Sequence, residues 1–208
     1  MKSLDFNSRR RQFIAVDAQP QLVSSPGKNH NRAQSSIVYT KQIFKVVYML
    51  NNSILHIKKS PYAFAKISGS DAYPDINGGA YFYTVQAGIL VAIQIKGLPE
   101  SDDICKKPIF AVHIHNGDRC TGNRTDPFAD AMTHYNPYNC AHPYHAGDFP
   151  PIFGADGLGF SAFLTNRFSA EEITGRTIII HAGPDDFTTQ PSGNSGMKIG
   201  CGVISPVY

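Results

Sequence analysis

The chain has 208 residues, 42% apolar and 17% charged, enough for one ordinary domain with a sizeable core, with or without a tail. No apolar run reaches the ~18 residues that a membrane-spanning helix needs, so no membrane span is expected. The net charge of +3 hides a split, because residues 1–60 hold ten Lys/Arg against two Asp/Glu and residues 61–208 hold nine against fourteen.

Residues 1–60 mix Ser, Asn, Gln and Lys without sustained periodicity and read as a basic, poorly ordered N-terminal extension. Its cations are scattered, so it is taken as solvated and no nucleic-acid partner is expected. Ser8–Ile14, with three consecutive arginines, resembles a twin-arginine export signal, but Asp17, Gln19, Pro20 and Gln21 stand where an apolar stretch should follow. Met49 is a candidate internal start.

From Pro61 the texture changes. Strands are expected over Tyr62–Ser68, Gly79–Gln86, Gly88–Gly97 and Ile109–His115, on alternation and on β-branched and aromatic content. A long loop rich in Gly, Pro, Asn, Asp and His then runs over Asn116–Phe153. Strands resume at Leu158–Thr165, Thr177–His181 and Met197–Ile204, with a helical turn near Ser169–Ile173 that Ser169 can cap. Many short strands separated by turn signals define an all-β sandwich or barrel.

Six of the eight histidines lie between positions 113 and 181. His113 and His115 stand two apart on a strand, so both imidazoles share one face, and imidazole suits copper and zinc. His134, His142, His145 and Asp148 fall within 15 residues of the loop and supply three imidazoles and one carboxylate, a full tetrahedral shell for zinc. Such a shell has no open position and would order a loop too long to be structureless. His181 closes an apolar strand and gains meaning only beside His113 and His115.

In order and spacing these residues resemble the copper/zinc superoxide dismutases, in particular a bacterial branch. The shared pattern reads His113-Ile114-His115, Cys120, His134-Tyr135-Asn136-Pro137, His142, His145-Ala146-Gly147-Asp148, His181, Asp185-Asp186, Gly193-Asn194-Ser195-Gly196 and Cys201-Gly202-Val203-Ile204. It covers roughly residues 61–208, taken as the dismutase domain. The resemblance implies an eight-stranded Greek-key β-sandwich or barrel of immunoglobulin-like kind with a long metal-binding loop. It implies copper on His113, His115, His134 and His181, and zinc on His134, His142, His145 and Asp148, with His134 bridging the two and acting in catalysis. Asp185 would orient one histidine of each metal, and Cys120 and Cys201 would form a disulfide. The substrate would be superoxide, converted to oxygen and hydrogen peroxide.

The chain departs from the family pattern at Lys198, where an arginine stands near copper. Lysine keeps the charge but loses the planar fork of donors, so activity with weaker anion positioning is expected. The loop 182–195 holds no Lys or Arg, which puts electrostatic steering in question. Cys105 and Cys140 read as a second disulfide anchoring the zinc loop, with two free thiols as the alternative. A non-catalytic copper/zinc-binding domain on the same fold is the rival reading, and a zinc hydrolase is disfavoured because no Glu adjoins the cluster. The disulfides favour an extracytoplasmic location over a cytoplasmic one, and a homodimer is an open expectation.

Overall fold

The computed structural model describes residues 60–106 and 108–207. The expected extension over 1–60, with Met49, falls almost wholly outside them. Nine strands follow in chain order: β1 Ala63–Gly69, β2 Asn77–Val85, β3 Gly88–Lys96, β4 Ile109–Phe110, β5 Val112–His115, β6 Ile152–Ala155, β7 Leu158–Thr165, β8 Thr177–His181 and β9 Lys198–Pro206. A single helical turn, α1, covers Ala170–Ile173. Among the described residues no helix is long and apolar enough to cross a membrane.

All pairings are antiparallel, in the order β4-β6-β7-β3-β2-β1-β9-β8-β5. The two ends of that order, β4 and β5, are separated in the chain by Ala111 alone. One residue therefore joins the sheet's edges and curls it into a barrel, which removes the exposed edges of an open sheet. The β7–β8 connection returns the chain across the barrel in Greek-key fashion.

The interior follows from alternation. Ala63, Ala65 and Ile67 of β1, Ile89, Val91, Ile93 and Ile95 of β3, and Ile178 and Ile180 of β8 are buried and join one core. The helical turn carries a capping box: the Ser169 hydroxyl accepts from the Glu172 N–H, and the Glu172 carboxylate accepts from the Ser169 N–H at 2.6 Å.

Three sequence expectations need correction. The single strand expected over Ile109–His115 is two, because Ile109 and Phe110 pair with β6 and Val112–His115 with β8. Strand β6 lies partly inside the stretch expected to be loop, and these two changes raise the strands read along the chain from seven to nine, one more than the eight the resemblance implies. Cys105 and Cys140 form no second disulfide; both are exposed thiols. Each is fixed by its own local turn: the Cys105 N–H donates to the Asp103 carboxylate at 2.9 Å, and the Cys140 N–H and C=O bond the Asn136 side chain at 2.9 and 2.8 Å.

Candidate metal centre

Strand β5 is buried at every position, which needs a cover on both faces. Val112 and Ile114 face the barrel interior with Ile178 and Ile180. His113 and His115 face outward, and there the register sets them opposite Ile179 and Thr177 of β8. The long loop covers this outer face by extending the ladder: Tyr135 N–H donates to Ile114 O at 2.7 Å, Ile114 N–H to Gly147 O at 2.9 Å, and Asn116 N–H to Thr133 O at 2.8 Å. Isolated bridges then set His113 against Asp148 and His115 against His134. Gly147 is needed for this approach, because a Cβ there would collide with the Ile114 carbonyl.

Two groups result. His113, His115, His134 and His181 form one, and His134, His142, His145 and Asp148 the other; within each, the candidate ligand atoms lie within 4.8 Å of one another. All seven residues are buried. His134 belongs to both.

The hydrogen bonds decide which nitrogens remain free. Asp185 accepts from His113 Nε2 and from His142 Nε2, each at 2.8 Å. His115 Nδ1 donates to Met132 O at 2.8 Å and His181 Nδ1 to Gly196 O at 3.1 Å. The opposite nitrogens, His113 Nδ1, His115 Nε2 and His181 Nε2, are buried without a partner, and so is His134 Nε2. An orphaned buried polar atom costs about 1–3 kcal/mol, so four converging ones fit a cation far better than they fit an empty core.

The second group is tighter. Asp148 Oδ2 lies 3.1 Å from His142 Nδ1 and 3.3 Å from His145 Nδ1, and His145 Nδ1 lies 3.3 Å from His134 Nδ1. A tetrahedron with zinc–nitrogen bonds of ~2.0–2.1 Å has edges of roughly 3.3 Å, so these residues fit zinc.

Burial and neighbouring rings favour the neutral imidazole at His113, His115, His145 and His181, as metal binding requires. Burial pushes His113 down to about 4 and His181 to about 3, and holds His115 well below its ordinary value. Burial pushes Asp185 up, but hydrogen bonds from His113, the Phe187 N–H and His142 outweigh it and hold the carboxyl well below the usual range. In the metal-free protein these depressed histidines set a pH dependence. Well above pH 6.5 His113, His115 and His181 are neutral in both the folded and the unfolded chain. As pH falls from 6.5 toward 4 the unfolded chain takes up protons that the fold refuses, so stability falls, on the order of 3 kcal/mol for His113 alone. Urea unfolding of chelator-treated protein at pH 7, 5.5 and 4.5 checks this; a midpoint that does not move would contradict it.

Residues beyond the motif hold the site together. Gln190 Nε2 donates to His142 O at 2.7 Å while its Oε1 accepts from His142 N–H at 3.0 Å. Arg167 Nη1 reaches the carbonyls of Pro143 and His145 at 3.3 and 3.2 Å. Gly193, in the left-handed region at φ +65°, lies so close that a Cβ would strike Asp185 Oδ1 and disrupt its bond to His142. Sequence reasoning missed Arg167 and Gln190; nothing local marks a residue whose partner is tens of positions away. Cys120 and Cys201 are disulfide-bonded. Lys198 is the register partner of His181, but its ammonium is bound to Asp126 Oδ2 at 2.7 Å and Phe128 O at 3.1 Å, and Asp126 too was missed. A cleft of about 810 Å³ opens over His115, His134 and His181, with Asp126 and Lys198 in its wall.

A closed antiparallel barrel whose outer face carries a four-imidazole group, a three-imidazole and carboxylate group, and one histidine common to both defines a dinuclear metalloprotein with a solvent-accessible site. The chain belongs to the copper/zinc superoxide dismutase family, whose model matches residues 76–204. It is 32% identical over 145 residues to superoxide dismutase [Cu-Zn] 2 of Aquifex aeolicus, a match covering 62% of this chain and 80% of that one. It is 35% identical over 150 residues to superoxide dismutase [Cu-Zn] of Deinococcus radiodurans, covering 64% and 79%.

Proposed function

We infer that the chain is a superoxide dismutase acting at a histidine-bridged copper/zinc site, carried by residues 61–208. The observation that carries this reading is His134, which offers Nδ1 to the compact group and its orphaned Nε2 to the four-imidazole group. Copper would be held by His113, His115, His134 and His181, because that group underlies the cleft and a redox ion must meet its substrate. Zinc would be held by His134, His142, His145 and Asp148, whose full shell leaves no room for one. When bound, copper supplies the one-electron chemistry that converts superoxide to oxygen and hydrogen peroxide, and zinc supplies fixed charge and loop order. His134 would act in catalysis through the same Nε2, which, when not engaged by copper, would hold a proton beside the arriving anion while the ring stays anchored through Nδ1. Asp185 positions His113 and His142 together, so both groups share one orienting carboxylate. Lys198 would bind the anion from the cleft wall. All four copper positions are histidine, and nothing favours a non-catalytic reading.

The expected homodimer has a candidate surface. Phe153, Leu158, Phe160 and Leu164 are all exposed on one face of β6 and β7, where large apolar side chains mark association sites.

The full chain, loaded with copper and zinc, is expected to remove superoxide rapidly. A His113→Ala/His115→Ala variant is expected to lose both copper and activity. Stoichiometric loading of both metals without dismutation would overturn the reading.

A further inference from the structure

Among the described residues, two side chains of fixed charge line the cleft over the four-imidazole group, Lys198 and Asp126. They form an ion pair at 2.7 Å, and Lys198 spends a second donor on Phe128 O at 3.1 Å. An ammonium has three donors, so one is left for a ligand. The Asp126 side chain is 40% exposed and that of Lys198 only 14%, so an entering solute meets the carboxylate more readily than the cation. The pair is also fixed in place. Asp126 and Phe128 follow Cys120 in the same loop, and the Cys120–Cys201 disulfide ties that loop to β9, three residues beyond Lys198.

We propose that Asp126 sets the anion affinity of the cleft: by holding the Lys198 ammonium it cancels the one fixed positive charge that the described residues give the cleft wall and keeps its affinity for small anions low. A paired cation and anion leave a dipole whose field falls off much faster than that of a charge, so attraction from the wall is short-ranged. Lysine suits this arrangement. Its compact charge is neutralised by one carboxylate, whereas the fork of an arginine could satisfy a carboxylate and still present donors to a ligand. The remainder of residues 61–208 does not compensate, with eight Lys/Arg against thirteen Asp/Glu. The site thus holds small monoanions weakly, its substrate among them, at the expense of steering.

The inference rests on the dismutase reading, and its test reads anion binding separately from turnover. Azide is titrated against the copper- and zinc-loaded full chain, following the copper(II) absorption. Asp126→Asn is expected to tighten azide about fivefold, the effect of one freed charge at several ångströms in an intermediate dielectric. Lys198→Met is expected to weaken azide about fivefold, because it bares the Asp126 carboxylate, and to return the affinity to that of the wild type when added to Asp126→Asn. Asp130→Asn, which removes a charge from the same loop outside the cleft, is expected to change nothing. Unaltered azide affinity in Asp126→Asn would overturn the proposal. So would a gain that survives Lys198→Met, which would come from a loosened loop and not from a freed charge. A protein that binds azide in this pattern yet does not dismutate superoxide would sink the enzymatic reading and leave the role of Asp126 standing.

Discussion

Stripping both metals is expected to lower the thermal midpoint by roughly 15–30 °C. The seven candidate ligand residues are buried on the outer face of β5 and β8 and under the loop, with little apolar surface among them to take over if the cations leave. Four ring nitrogens of the cleft group then have no partner at all. A metal that binds the folded state alone stabilises it by about 4 kcal/mol when its concentration is a thousandfold above the dissociation constant, and there are two. For a domain of this size each kcal/mol moves the midpoint by about 2–4 °C. The loss should concentrate in residues 116–151, because the metals would tie seven buried polar side chains together there, and without them the loop keeps only its ladder bonds to β5, the disulfide and a few packed side chains. Calorimetry with and without chelator gives the shift, and amide exchange shows where it falls. A shift of only a few degrees would mean that the loop is held by packing and hydrogen bonds, and that the metals contribute no appreciable stability.

The barrel was legible in the sequence wherever one face of a strand meets solvent. In β1 the alternation of Ala63, Ala65 and Ile67 with Lys66 and Ser68 is a direct record of inside and outside. It failed where both faces are covered. Ile109–His115 contains no turn residue and no break in character, so nothing local shows that Ala111 carries the chain from one edge of the sheet to the other. That break is imposed by closure of the barrel. Strand β6 was hidden for a related reason: Ile152–Ala155 is short and follows Pro150 and Pro151, so it reads as the end of a loop.

The candidate site was legible to the extent that its chemistry is written in residue type and spacing. Histidines two apart on a strand, and three more with an Asp in one loop, have few other uses. What stayed hidden are groups that act through common side chains at long range. Gln190 lies 48 positions from His142, and Asp126 lies 72 from Lys198. Asp and Gln in polar loops are ordinary, and only the folded geometry selects them. The sequence could place a cation at 198 but could not show that a carboxylate already occupies it. The expected pairing of Cys105 with Cys140 failed for the same reason, since an even cysteine count says nothing about distance.

The disulfide is where the second large effect is expected. Cys120→Ser/Cys201→Ser should destabilise the metal-loaded protein by about 4.5 kcal/mol, lowering the midpoint by roughly 10–15 °C. The closed loop spans 81 residues, and cross-linking so long a segment removes much of the unfolded chain's freedom. The bridge also belongs to a small apolar cluster, Phe128, Ala131, Ile179 and Cys201 with Cys120 beside them, sealed off from the barrel interior. Without the covalent tie, that cluster and the two bonds from Lys198 would hold the loop bearing Asp126 against β9. The double variant avoids leaving a stray thiol. Thiol titration of unreduced, unfolded wild type should give two reactive groups, Cys105 and Cys140, and four after reduction. Loss of the bridge should also blur the contrast in azide affinity between wild type and Asp126→Asn, since the acceptors for Lys198 would no longer be fixed. A double variant as stable as wild type would mean that the unfolded chain is already constrained, or that the apolar cluster suffices, and that the bridge serves to place Asp126 and Phe128 and not to stabilise the barrel.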